Sequence, residues 1–175
     1  GDGARRVHAA RLLRALLDGL GGIWLTGSTL DGVALGDAWR HPHAAGVGPT
    51  AGWVPFHKLS QWLTYSLLEP FAWAGVPVGG LAELTGLPEY RNGGLLLDAG
   101  VIAPKDPDFA ARRREPAEPW VIEWRALTVT LLDELAPRVR EALGVASLPL
   151  ACMLEGGSWA AGRQFAAERR PGGAP

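Results

Sequence analysis

PWVIEWRALTVTLLDELAPRVREALG, residues 119–144, is the stretch that decides the fold. Pro119 suits the first position of a helix, where its missing N–H costs nothing. Trp120, Trp124, Leu127, Leu131 and Leu135 then recur at three- and four-residue steps, the apolar stripe of a helix. Gly144 is the natural stop. The spacing predicts one long helix over about 120–143, kinked or split where Pro137 removes a backbone donor. A helix of this length sets a mainly α architecture for a chain of 175 residues.

Working outward, Ala4 to Leu20 carries Val7, Leu13, Leu16, Leu17 and Leu20 on one helical face, with Arg5, Arg11 and Arg14 among its polar positions. Gly21-Gly22 closes it. Asp31-Gly32 between Leu30 and Val33 predicts a two-residue hairpin, with short strands near 23–25, 29–30 and 33–35. Residues 41–52 read as loop. Pro55 opens a second helix over 55–69, with Phe56, Leu59, Leu63 and Leu67 as its stripe and Pro70 as its stop. Short helices are predicted at 81–85 and 93–99, the latter stopped by Gly100. Residues 103–119 are a charged, proline-rich connector. Two more short helices follow, at 148–154 and 158–169, separated by Gly156-Gly157, with Ser158 as the N-cap of the second. The whole reads as a single domain, mainly α, with one small β-hairpin and no large sheet.

Composition narrows the function classes. The net charge is −1, which argues against nucleic-acid binding. One cysteine, Cys152, excludes an internal disulfide and a thiolate-rich zinc site, and fits a reducing, cytoplasmic setting. No apolar run approaches the roughly 20 residues of a membrane helix, so no membrane partner is expected. Nor is there a P-loop, a metal-ligand spacing or a nucleophile elbow, so no cofactor and no metal are expected. Of the 17 basic residues only Lys58 and Lys105 are lysines. Lys105 sits in the loop APKDPD. Lys58 lies inside the patterned segment FHKLSQWL, where an ammonium that a guanidinium cannot replace has more to do.

Three clusters carry candidate chemistry. His57, Lys58 and Gln61 sit in the first, with Lys58 and Gln61 on one helical face. Glu89, Tyr90, Arg91 and Asn92 crowd between Pro88 and Gly93-Gly94, where a carboxylate at a helix start is favoured by the helix dipole. Glu123 and Arg125 flank Trp124 on the long helix, and Glu123 is expected to be buried and hydrogen-bonded to a partner.

The phrases PFHKLSQWLTYSLLEP (55–70), LTGLPEYRNGGLLLDAGVI (84–102), PWVIEWRALTVTLLDELAP (119–137) and LEGGSWAAGR (154–163) resemble the fungal and bacterial uracil-catabolism protein-four family, long filed as a domain of unknown function. The resemblance implies the C-terminal half of such a protein, with the missing N-terminal half as its partner. It also implies a place in a route that degrades uracil through ribosylurea. More distantly, Phe56-His57-Lys58-Leu59-Ser60-Gln61-Trp62-Leu63, Glu89-Tyr90-Arg91 and Glu123-Trp124-Arg125-Ala126 are similar, in order, to three phrases of the queuosine-salvage nucleoside hydrolases. That similarity implies a helical, DNA-glycosylase-like bundle and cleavage of an N-glycosidic bond, with Glu89 standing where those enzymes use a catalytic Asp. Their Val-Pro-Gln after this phrase is Asn92-Gly93-Gly94 here, so the substrate geometry differs.

The expected function is hydrolysis of ribosylurea or its 5′-phosphate to urea and ribose, with a small nucleoside-like substrate. Glu89 and Lys58 are the catalytic pair. Tyr90, Arg91, Asn92, Gln61, Glu123, Arg125 and His57 bind the substrate. The alternatives are a non-catalytic structural partner of uracil-degrading enzymes, or a ureide amidohydrolase.

Overall fold

The computed structural model describes residues 6–24, 26, 28–109 and 111–173. The chain is mainly helical and falls into two compact units, Gly1–Thr85 and Gly86–Pro175. Among the described residues no helix is long and apolar enough to cross a membrane.

In the first unit, β1 (Val7–His8) leads into α1 (Ala9–Leu20), which packs on α2 (Lys58–Trp73). The leucines at 13, 16, 17 and 20 are half-buried, as their spacing requires. The hairpin forms as expected: β2 (Thr29–Leu30) pairs antiparallel with β3 (Val33–Ala34). Asp31 and Gly32 take φ of 51° and 79°, the positive pair of a type I′ turn. Residues 21–23 form a 3₁₀ turn rather than the start of a strand, and residue 25 lies outside the described residues.

The segment expected to be loop is bracketed by a second hairpin, β4 (Ala38–Arg40) against β5 (Trp53–Pro55). Pro55 therefore ends a strand, where its missing N–H is harmless, and α2 begins three residues later than expected. Pro70 lies inside α2 and does not stop it. It falls in the last turn, so only one intrahelical bond is lost before the helix ends. The buried positions of α2 are Ser60, Gln61 and Thr64, and Leu59 of the expected stripe is exposed. Burial of these polar residues is tolerated because they are bonded: Thr64 Oγ1 donates to the Ser60 carbonyl at 2.9 Å. A short parallel pair joins β1 to β6 (Val78–Gly79), and residues 81–83 make a 3₁₀ turn.

The second unit is built on α3 (Tyr90–Asp98) and α4 (Pro119–Leu143). Beyond them α5 (Leu150–Met153), a π-helical turn over residues 154–159 and α6 (Ala160–Arg169) run on without a break. Gly156-Gly157 thus lies inside one helical run, and Ser158 is a buried member of the π turn rather than an N-cap. α4 is a single helical span through Pro137, ended by Gly144. Its fully buried residues are Ile122, Thr128, Leu132 and Ala136. Leu127 and Leu135, placed on the core face by spacing, are exposed. The rotation follows from close packing: Leu132 meets Gly86 so tightly that a Cβ there would lie 2.8 Å from the leucine's own. The core of this unit is Leu87, Leu96, Ile122, Leu132, Ala136, Met153, Leu154 and Ala166.

Candidate functional site

Glu89 is the residue immediately before α3, which begins at Tyr90, three residues ahead of the predicted start at 93. Its Oε2 accepts the Arg91 backbone N–H at 2.8 Å, so the carboxylate caps the helix. Only 8% of Glu89 is exposed. A carboxylate in this position is held by an amide and favoured by the helix dipole. Gly93-Gly94 does not break the helix, because Gly93 is where Trp124 lies: a Cβ at Gly93 would sit 2.9 Å from the indole, and Trp124 Nε1 donates to the Gly93 carbonyl at 3.2 Å.

The neighbours of Glu89 divide by environment. Tyr90 is 52% exposed, and the Arg91 guanidinium lies over its ring at 5.1 Å. Arg91 also donates to the Gly173 carbonyl at 3.1 Å. Its own carbonyl faces Gly162 of α6 so closely that no other residue fits there. Asn92 is fully buried: Nδ2 donates to the Leu87 carbonyl at 2.9 Å and Oδ1 accepts Ser158 Oγ–H at 2.7 Å. It joins α3 to the π turn, a type of helical irregularity that recurs at functional sites.

Glu123 corrects an expectation, since it is exposed. It directly follows buried Ile122, about 100° round α4 from it, and stands at the rim of a cleft with Trp120 and Trp124. Arg125 is half-buried on the same helix.

In the first unit, the FHKLSQWL phrase is organised by Asp37, a residue the sequence did not single out. The Asp37 carbonyl accepts the N–H groups of Phe56 and His57 at 2.9 and 3.1 Å. Its carboxylate accepts Lys58 N–H at 3.1 Å and Trp39 Nε1–H at 2.7 Å. Asp37 thereby caps α2 from 21 positions upstream, and no local pattern could have shown it. The same bonds hold His57 at φ 47°, a left-handed conformation that costs a non-glycine residue energy. Burial lowers the His57 pKa, opposed by the charge of Asp37. Lys58 is half-buried at the first position of α2. Gln61 is buried and works as a clamp: Nε2 donates to the Phe56 carbonyl at 3.1 Å and Thr85 Oγ1 at 3.0 Å, and Oε1 accepts Thr85 N–H at 3.1 Å.

Among the described residues no group of three His, Cys, Asp or Glu could hold a metal ion. What the second unit does offer is a buried, dipole-favoured carboxylate beside an arginine and an exposed phenol ring.

The chain belongs to the family described as "Protein of unknown function (DUF1688)", which matches residues 2–175. Protein urg3 of Schizosaccharomyces pombe is 44% identical over 98% of this chain and 42% of its own length. Uracil catabolism protein 4 of Lachancea kluyveri is 40% identical over 97% of this chain and 44% of its own length. The chain therefore spans less than half the length of these curated relatives. No solved structure matches the chain significantly.

Proposed function

We infer that the chain serves uracil catabolism and that its chemistry is hydrolysis of the N-glycosidic bond of ribosylurea or its 5′-phosphate. The first part is supported by the name of the Lachancea kluyveri relative. The second rests on one observation, the Glu89 carboxylate, buried at the start of α3 within the phrase that resembles nucleoside hydrolases.

The reaction asks for such a group. As the C1′–N bond breaks, positive charge spreads over C1′ and the ring oxygen, as in glycoside cleavage. Urea leaves with the bonding electron pair and gains a proton. Water adds its oxygen to C1′ and gives up a proton. A fixed carboxylate serves either demand: it stabilises the developing cation, or it takes the proton from the attacking water. Glu89 is fixed by its bond to the Arg91 amide, so it needs little reorganisation as charge develops. Tyr90, exposed beside it, supplies a ring to wall the sugar, and Arg91 and Arg125 supply forked donors suited to a phosphate. His57, Lys58 and Gln61 are assigned to the substrate on the strength of the resemblance.

Product analysis tests the reaction class. This chain and, in parallel, the full-length Lachancea kluyveri relative are incubated with ribosylurea and its 5′-phosphate. The reading predicts equal amounts of urea and free or phosphorylated ribose. Ammonia released without urea would make the protein an amidohydrolase, and no turnover by either protein would refute the hydrolase reading.

A further inference from the structure

The second unit holds a cleft of about 360 Å³, between residues 102–109 and the first turns of α4. Its walls are aromatic. Trp120 and Trp124 lie one turn apart with ring centres 6.2 Å apart and planes 21° from parallel. Phe109 meets both edge-on, at 4.6 and 5.9 Å. Each indole N–H is already committed outside the cleft, Trp120 to Glu118 at 3.1 Å and Trp124 to the Gly93 carbonyl. The Arg114 guanidinium already lies over the Trp120 ring, 4.9 Å from its centre, so the walls offer the remaining ring surface and no indole N–H donor.

Three charged side chains stand among the lining residues. Asp106 is committed: Arg114 donates to it at 2.9 Å and so does the Asp108 amide. The other two are Glu123, an exposed carboxylate whose two oxygens offer about four acceptor positions, and Lys105. Lys105 is exposed and, among the described residues, has no ion-pair partner. It is also one of only two lysines among 17 basic residues. The structure thus puts an acceptor and a cation on a cleft otherwise apolar and aromatic, the make-up of a small-molecule site at the low end of the usual size.

The geometry points to a binding site here for a small, flat, single-ring heterocycle carrying a ring N–H and an anionic group, the chemistry of a pyrimidine nucleoside monophosphate. The ring lies against Trp120, Trp124 and Phe109, Glu123 accepts the ring N–H, and Lys105 holds the anion. A single ring matches the cleft's volume, and a long polymer is disfavoured by the chain's net charge of −1. The choice of a pyrimidine rests on the uracil-catabolism reading, but Glu89 does not line this cleft, so the inference stands apart from the hydrolase reading.

Uridine 5′-monophosphate is the probe, titrated into the protein with calorimetry and with tryptophan emission excited at 295 nm, a wavelength the nucleotide barely absorbs. One saturating site with a Kd at or below roughly 1 mM is expected, the weak end of specific binding. Lys105→Ala should weaken it roughly tenfold, the scale of one charge-assisted hydrogen bond. Lys105→Arg should retain binding, and Glu123→Gln should weaken uridine and its monophosphate alike. Both residues are exposed, so these variants should fold, and an unchanged melting temperature checks it. Trp120→Leu should weaken every ring-bearing probe. The inference is overturned by any of three results: no saturable binding up to 5 mM, inorganic phosphate competing as well as the nucleotide, or Lys105→Ala binding like the wild type. None of these depends on whether urea is released from ribosylurea.

Discussion

Replacing Asn92 tests how the candidate site is held. Asn92 is completely buried, and its amide bridges α3 to the π turn through the Leu87 carbonyl at 2.9 Å and Ser158 Oγ at 2.7 Å. Asn92→Ala removes both bonds and leaves a small cavity. Neither partner is orphaned outright: the Leu87 carbonyl keeps the Glu89 amide at 2.8 Å, and Ser158 keeps a longer bond to the Leu154 carbonyl at 3.3 Å. Two lost hydrogen bonds at about 1 kcal/mol each, with a cavity cost of similar size, give about 2–4 kcal/mol. That is a large part of the ~5–15 kcal/mol that holds a domain together. Ser158→Ala should cost about 1–2 kcal/mol, because it strips the buried Oδ1 of its donor. The double variant should cost less than the sum by about 1 kcal/mol, the coupling of residues in direct contact. Denaturant unfolding with an unchanged m-value is the assay. A cost below about 0.5 kcal/mol for Asn92→Ala, or additivity in the cycle, would refute the bridge.

Other outcomes follow from the same contacts. Burial lowers the His57 pKa, so the folded state resists its protonation. Stability should be full above the ordinary histidine value of about 6.5 and fall as pH drops below it. His57→Asn, which tolerates the left-handed backbone, should flatten that part of a pH–stability profile. The Arg170 guanidinium bonds Asp98 through two contacts of 2.7 Å and holds its carboxyl below the usual range. That pair should stabilise the fold above about pH 4 and lose its contribution as pH falls through the lowered value, a loss Arg170→Met should abolish. Glu123→Ala should change unfolding free energy by less than about 0.5 kcal/mol, as expected of an exposed residue.

Much of the frame is legible in the sequence because its punctuation is local. Pro119 and Gly144 bound α4, and Asp31-Gly32 makes its hairpin. What escapes reading depends on partners distant in sequence. Gly93-Gly94 reads as the start of a helix, yet α3 begins at Tyr90 and Gly93 lies inside it as the space that admits Trp124. Gly156-Gly157 looks like a break, yet it continues a helix whose π turn hands Ser158 to Asn92. Trp120 and Trp124 look like core by spacing, but the close approach of Leu132 to Gly86 turns α4 and leaves them lining a cleft. Glu123 follows them outward, which periodicity alone could not show. Glu89, Lys58 and Gln61 were nominated by family phrases. Asp37, which fixes the backbone of His57 and Lys58, was not.

The most direct measurement of the central claim is the steady-state rate of urea release from ribosylurea and its 5′-phosphate by the wild-type protein and by Glu89→Gln. The variant keeps the side chain's shape and an acceptor for the Arg91 amide while removing its charge. If Glu89 acts on charge present only in the transition state, kcat should fall at least about 100-fold with little change in KM. Glu89→Asp should retain part of the activity. Urea release by Glu89→Gln at the wild-type rate would contradict the account.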